Sequence, residues 1–286
     1  MLFPAENRGN PRYLPPRRYA ILTWMTKWAL ITGASQGIGY EFAKLFAAEG
    51  HDLVLVARDK ARLELVAEEL RGKHAGKIKV LVLARDLGMA TAAQEIFDEL
   101  KREQIFVSVL VNNAGFGFQG SFAELDLEGH RHLMRVNMTA LMELTYLFLK
   151  PMLERREGRI LNVASIAAFQ PGPYMNLYYA SKAFVYSFSC ALSEELKGSG
   201  VTATVVCPGL TKSQFHARAS LKRPENSRLM MSAEVVAKIG YRAMMRGKPI
   251  VVTGWFNKLA TTVAKILPTQ IMSKITGAVN KNDRKD

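Results

Sequence analysis

Residues 28–39 read Trp28-Ala29-Leu30-Ile31-Thr32-Gly33-Ala34-Ser35-Gln36-Gly37-Ile38-Gly39. A five-residue apolar run comes first, glycines follow at 33, 37 and 39, and the segment from Gly39 to Gly50 is apolar at helical spacing. A short apolar run predicts a buried strand, and the periodic segment predicts an amphipathic helix ended by glycine. Glycines between them let the backbone turn tightly and approach an anionic group, which the N-terminus of the following helix favours. A plain tight turn would need less, but this position between a first strand and a first helix suits a dinucleotide pyrophosphate.

Further runs follow the same design: DLVLVA (52–57), IKVLVL (78–83), VSVLVN (107–112), RILNVA (159–164), VTATVVC (201–207) and IVVT (250–253). They are nearly continuous in Val, Leu and Ile rather than alternating, as strands buried on both faces are. Helical segments such as Ala61 to Gly72 lie between them. Repeated strand–helix–strand units predict right-handed crossovers and a single doubly wound, Rossmann-type α/β domain, its parallel sheet covered by helices on both faces. That domain is expected over residues 25–254.

The ends differ from the core. Of a net charge of +14, residues 1–24 carry +3, from four Arg and one Glu, and residues 255–286 carry +4, from six basic and two acidic residues. Such a distribution fits anionic ligands or an anionic membrane surface, and nothing in it resembles a DNA-reading module, so nucleic acid is not expected as a partner. Residues 1–24 lack strand or helix periodicity and are read as a disordered basic extension, not an export signal, despite Arg17-Arg18 before an apolar run. No apolar stretch reaches the roughly 20 residues that a membrane span needs. Cys190 and Cys207 sit among apolar residues without metal-site spacing, which predicts free thiols in a reducing, cytoplasmic setting and no metal.

The second strand ends at Ala57 followed by Arg58, where an acidic residue would receive the ribose hydroxyls of NAD. A guanidinium there suits a 2′-phosphate and so NADP(H). Asp86-Leu87 after the third strand, and Asn112-Asn113-Ala114-Gly115 after the fourth, stand at strand carboxyl ends, where open α/β sheets place ligands. Either could be an Asx turn alone.

Ser165 follows the fifth strand, Tyr178 lies thirteen residues on and Lys182 four further. An i, i+4 pair shares one helical face, so Lys182 can stand beside the Tyr178 phenol. A cation there is expected to lower the phenol pKa from about 10, making Tyr178 a general acid for ketone reduction and a base for the reverse. The Ser165 hydroxyl can hydrogen-bond a substrate carbonyl oxygen as charge develops on it.

Together, TGASQGIG, NNAG, Asn137 in RVNMTA, Ser165 in NVASIAA, YYASK and Pro208-Gly209 resemble the short-chain dehydrogenase/reductase family over about residues 26–254, with ketoacyl and steroid reductases as cousins. The resemblance implies a seven-stranded sheet and catalysis by Ser165, Tyr178 and Lys182. It also implies Asn137 as a fourth member, holding a water on a proton path from Lys182. Cofactor contacts would come from Gly33, Ser35, Gln36, Gly37, Ile38, Gly39, Arg58, Asp86, Leu87, Asn113, Ala114, Gly115, Tyr178, Lys182, Pro208, Gly209 and Thr211. Tyr179, not four before Lys182, is taken as structural.

Substrate recognition is expected in Phe116 to Gly120, Ile166 to Leu177 and Leu210 to Met231. The first two are aromatic and apolar; the third is basic, with Lys212, His216, Arg218, Lys222, Arg223 and Arg228. An apolar pocket under a basic lid suits a hydrophobic carbonyl or alcohol substrate with an anionic group, such as a ketoacyl thioester, or a ketosteroid. After Gly254 the tail (255–286) places Trp255, Phe256, Leu259, Ala260, Val263, Ile266 and Leu267 on one side of a basic amphipathic helix, with Ile271, Met272 and Ile275 after Pro268. This stripe is expected to pack on its own domain or a sister subunit in a homo-oligomer, with peripheral membrane contact as the alternative. Two other functions compete: a Rossmann lyase or epimerase using the same Tyr–Lys pair, and a cofactor-sensing regulator, which would commonly lack that pair.

Overall fold

The structure, a computed structural model, describes residues 27–212 and 230–282. The extension expected over 1–24 and the basic residues His216, Arg218, Lys222, Arg223 and Arg228 lie outside these residues. Seven strands form one parallel sheet in the order β3-β2-β1-β4-β5-β6-β9. They are β1 (Trp28–Thr32), β2 (Asp52–Ala57), β3 (Val80–Ala84), β4 (Val107–Asn112), β5 (Gly158–Val163), β6 (Val201–Cys207) and β9 (Ile250–Val252). A two-stranded parallel pair, β7 (Thr211–Lys212) and β8 (Met231–Ser232), stands apart.

Continuous apolar runs make sense because both faces of this sheet are buried. Leu30, Val56, Leu110 and Ile160 pack on one side with residues of α3 (Ala92–Arg102) and α5 (Ala140–Arg155). Ile31, Leu55, Val111 and Leu161 pack on the other with α1 (Gly37–Ala48), α2 (Lys60–Lys73) and α7 (Ala233–Met245). The chain winds from β1 outward through β2 to β3, then returns to the other side of β1 at β4. This reversal opens a crevice at the carboxyl ends of β1 and β4, where such sheets bind ligands.

Two more elements frame the crevice. α4 (Leu127–Met134) runs into α5 through one wide π turn, Arg135–Thr139, that contains Asn137. α6 (Asn176–Glu195) carries Tyr178 and Lys182 in its first two turns.

The tail forms α8 (Trp255–Ile266) and α9 (Thr269–Asn282). It corrects the expectation that the stripe of α8 covers its own domain: that stripe faces outward, with Trp255 78% and Ile266 77% exposed. The inward side holds the smaller, more polar Thr261 and Ala264. Small residues let α8 lie close to the Ile166–Phe169 turn, Asn257 Nδ2 donates to the Thr253 carbonyl (2.7 Å), and Lys265 Nζ sits 4.9 Å from the Phe169 ring centre. α9 does pack on the domain. Thr276 Oγ1 donates to Pro171 O (2.7 Å) and Asn280 Nδ2 to Pro173 O (2.9 Å).

Candidate active site

A cavity of about 790 Å³ occupies the crevice. Its floor is the glycine loop. Gly33 and Gly37 have φ of +65° and +59°, which side chains rarely allow, and a Cβ on Gly39 would lie 2.3 Å from the Gly33 carbonyl oxygen. α1 begins at Gly37 with no side-chain cap, leaving its first amide groups for an anion. Gly33, Ser35, Gln36, Gly37 and Ile38 line the cavity. A helix start without a side-chain cap, behind a turn with glycine at two positive-φ positions, fits a dinucleotide pyrophosphate.

Thr32 and Asn113 tie this glycine loop to the end of β4. Thr32 Oγ1 accepts from the amides of Asn113 (2.9 Å) and Ala114 (3.0 Å). Asn113 Nδ2 donates to Thr32 O (2.9 Å) and Gly33 O (3.3 Å). Asn113 reaches the cavity, but its amide holds β4 to the loop. Behind it, buried Asn112 donates to Thr145 Oγ1 (3.0 Å) and Asn162 Oδ1 (2.9 Å), joining β4 to β5.

At the β2 end, Ala57 and exposed Arg58 line the cavity. Asp59 also lines the cavity and caps α2, accepting from the Arg62 amide (3.0 Å). That turn brings Arg62 back over the glycine loop, its Nε donating to Ser35 O (3.0 Å). The sequence reading missed Arg62; its spacing of four from Arg58 across a helix start was the available signal. Asp86 makes the Asx-type turn, accepting from the Gly88 amide (2.9 Å), and faces His132 at 3.7 Å. Asp86, Leu87, Ala114 and Gly115 continue the lining, and Pro208, Gly209 and Thr211 line it beyond β6, beside Ser165.

Ser165, Tyr178 and Lys182 meet on the opposite wall. Ser165 starts the 3-10 turn after β5, its Oγ accepting from the Ala167 amide (3.1 Å) and donating to Pro208 O (3.5 Å). The Tyr178 phenol is hydrogen-bonded to Ser165. Lys182 Nζ donates to Val163 O (3.0 Å) and lies 5.8 Å from the Tyr178 ring centre. Gly115 is small for a visible reason: a Cβ there would lie 3.2 Å from both Lys182 Nζ and Asn137 Oδ1.

The electrostatics correct one expectation. Burial pushes Tyr178 up to about 12, against a smaller lowering effect of the Ser165 hydrogen bond, and pushes Lys182 down to about 8. The cation does not lower the phenol here, because desolvation opposes charge on both groups. The phenol therefore keeps its proton across the neutral range.

Asn137 is also more engaged than expected. Its Oδ1 accepts from the Phe116 amide (3.0 Å), while Nδ2 donates to Phe116 O (2.9 Å) and Ser181 Oγ (3.0 Å). Ser181 Oγ in turn donates to Tyr178 O (2.7 Å). The π turn thus ties the wall at Phe116 to the helix that carries Tyr178 and Lys182.

The substrate end is apolar. Phe116, Phe118, Met175 and Leu210 line it, and so do Met272, Ile275, Thr276, Val279 and Asn280 of α9. Expected recognition stretches supply the first set; α9 was not anticipated as a cavity wall. Tyr179 lines the cavity beside Tyr178 and donates to Asn280 Oδ1 (3.4 Å).

Fold and cavity define a class, a Rossmann-type enzyme with a nicotinamide dinucleotide crevice. The short chain dehydrogenase family profile matches residues 27–224. The very-long-chain 3-oxoacyl-CoA reductase of Bos taurus is 31% identical over 260 residues, 88% of this chain and 79% of that protein. The 17-beta-hydroxysteroid dehydrogenase type 3 of Mus musculus is 37% identical over 194 residues, 66% of this chain and 61% of that one. A short-chain dehydrogenase from Sphingobium yanoikuyae, solved in complex with NADPH, aligns with a TM-score of 0.74 at 30% identity over 85% of this chain and 96% of that one. The chain belongs to the short-chain dehydrogenase family. It is an oxidoreductase that exchanges a hydride between a nicotinamide dinucleotide and a carbonyl or alcohol, and neither a lyase, an epimerase nor a regulator is favoured.

Proposed function

We propose that this enzyme uses NADPH to reduce a hydrophobic ketone of the 3-oxoacyl thioester or ketosteroid class, with Tyr178 as proton donor. The observation that carries the reading is that Ser165, Tyr178 and Lys182 line the same cavity as the apolar side chains Phe116, Phe118, Met175, Met272, Ile275 and Val279. Apolar walls favour a large apolar body by removing it from water, at about 25 cal/mol per Å² buried. The names of the ketoacyl and steroid relatives point to the same chemistry.

When bound, the dinucleotide supplies the hydride. Arg58, which lines the cavity, would hold a 2′-phosphate with Arg62 nearby over the glycine loop, and the Gly33–Gly39 loop would hold the pyrophosphate. Ser165 hydrogen-bonds the substrate carbonyl oxygen and fixes its place. Tyr178 gives its proton to that oxygen as negative charge develops there. Lys182, desolvated and close by, is the positive group that stabilises the resulting phenolate. Asn137 positions both residues through Ser181 and Phe116, and the water-holding role implied by resemblance would use its remaining acceptor capacity.

The same enzyme would work in the cytoplasm, where Cys190 and Cys207 stay reduced thiols. Among the described residues no helix is long and apolar enough to cross a membrane. The outward side chains Met142, Tyr146 and Leu153 of α5 offer an apolar face for self-association. Rates of NADPH oxidation across 3-oxoacyl thioesters, ketosteroids, small diketones and aldehydes test the substrate reading. It expects kcat/KM to rise with apolar bulk; equal or better turnover of small polar carbonyls would overturn it.

A further inference from the structure

The outward face of α8 has no partner within the described residues. Trp255, Leu259, Val263 and Ile266 follow one another at spacings of four, four and three, so they form a single ridge, with Phe256 beside it. All five are exposed, Trp255 and Ile266 by more than three quarters. A soluble surface rarely carries so contiguous an apolar strip, since each large side chain left in water forgoes about 1.5–3 kcal/mol of burial. The fold does not lack the means to bury it. It has turned the helix so that Asn257, Thr261 and Ala264 face the domain.

Charge decides what covers the strip. Between Gly254 and Asn282 there are four lysines and no Asp or Glu; Lys265 lies against Phe169, which leaves Lys258, Lys274 and Lys281 for an outside surface. A second copy docking through the same face would be related by two-fold symmetry, and so would set lysines against lysines. An anionic lipid surface has the complementary charge, with roughly 1 kcal/mol from each Lys near it. A helix with an apolar ridge, aromatic residues at one end and Lys beside them is the design of a helix lying in the membrane interface plane.

We propose that α8 docks this enzyme on an anionic membrane surface, its Trp255–Ile266 ridge inserted among the acyl chains. The consequence for the site is geometric. Pro268 turns the chain directly from α8 into α9, whose Ile275 and Val279 are half exposed and also line the cavity. Docking therefore sets the rim of the cavity next to the lipid. Docking follows from the ridge and its charge and does not depend on which ketone is reduced.

The test uses the full chain with vesicles of phosphatidylcholine alone and of phosphatidylcholine with about one third phosphatidylserine. Sedimentation is measured at low and high salt, with light scattering of the vesicle-free protein in parallel. Leu259→Glu/Val263→Glu places two carboxylates on the outward, exposed ridge. The expected result is that the native chain sediments with phosphatidylserine vesicles at low salt and at least tenfold less with phosphatidylcholine or at high salt. The double variant should lose this binding tenfold or more, with unchanged melting temperature and NADPH affinity. No binding by the native chain would overturn the proposal. So would binding unaffected by the variant, or a halving of mass by the variant in light scattering, which would assign the ridge to a second copy.

Discussion

Lys182 Nζ donates its hydrogen bond to the carbonyl oxygen of Val163, 3.0 Å away at the end of β5, and not to the Tyr178 phenol beside it. The lysine is 6% exposed, and burial pushes it down to about 8 from 10.5. One neutral carbonyl is poor compensation for a desolvated ammonium. The site is therefore held at a cost to the fold, and that cost has a measurable pH dependence.

Lys182 lowers stability below about pH 8, where it is charged in both the folded and unfolded chain. Its penalty fades between about pH 8 and 10.5, where only the unfolded chain holds the proton. A shift from 10.5 to about 8 corresponds to roughly 3 kcal/mol. Burial also pushes Tyr178 and Cys207 up to about 12, and these groups oppose the trend from about pH 9 upward. Comparison with Lys182→Met isolates the lysine. The variant, free of cofactor, should melt several degrees above the native chain at pH 7, with the gap closing toward pH 10. Calorimetry at both pH values checks this; a variant less stable at pH 7 would refute it.

On the proposed reading, Arg58 at the cavity and Arg62 over the glycine loop favour NADPH. Arg58 is exposed at the tip of β2, and Arg62 is held over the glycine loop by Ser35 O. Charge-assisted contacts contribute about 1.5–3 kcal/mol each. Arg58→Ala should weaken NADPH binding by roughly 10–100-fold and leave NADH binding nearly unchanged. Arg62→Ala should weaken both, because Arg62 also braces the loop. Fluorescence titration with each dinucleotide reads the difference; equal native affinities would remove the assignment.

Asn280 is 1% exposed and joins α9 to the substrate wall, donating to Pro173 O and accepting from Tyr179. Asn280→Ala should loosen that wall without touching the glycine loop. KM for a bulky ketone should rise several-fold while the Kd for NADPH stays fixed. Loss of NADPH affinity with KM unchanged would place α9 on the other side of the chemistry.

Much of this was legible in the sequence, for reasons that are local. Buried parallel strands leave continuous apolar runs, a glycine loop leaves its glycines, and Tyr178 and Lys182 share a helix turn. What escaped depends on contacts across the chain. Asn280 meets Pro173 from more than a hundred residues away, so nothing near α9 marks it as a cavity wall. Thr32 was visible as a strand end, but its role depends on amides supplied by Asn113 and Ala114. The α8 stripe was plain as a pattern, yet periodicity cannot say which side of a helix faces in. Thr261, Ala264 and Asn257 decided that by fitting closely where Trp255 and Leu259 would not. The direction of the Tyr178 shift was missed because spacing shows a neighbouring cation but not the depth of burial that opposes it.

In the proposed mechanism Tyr178, hydrogen-bonded to Ser165 and keeping its proton at neutral pH, delivers that proton to the substrate oxygen. Tyr178 and Tyr179 are adjacent in sequence, with ring centres 6.0 Å apart, and both line the cavity. Ser165 acts on the Tyr178 phenol through a hydrogen bond, whereas the Tyr179 hydroxyl reaches Asn280 of α9. The most direct measurement is single-turnover NADPH oxidation with a ketone by Tyr178→Phe and Tyr179→Phe, alongside NADPH titration of each. The account predicts a loss of about 10²–10⁴-fold in the chemical step for Tyr178→Phe, with NADPH binding kept, and a Tyr179→Phe variant that still turns over. A Tyr178→Phe variant reducing ketone at the native rate, or a Tyr179→Phe variant carrying the whole loss, would contradict it.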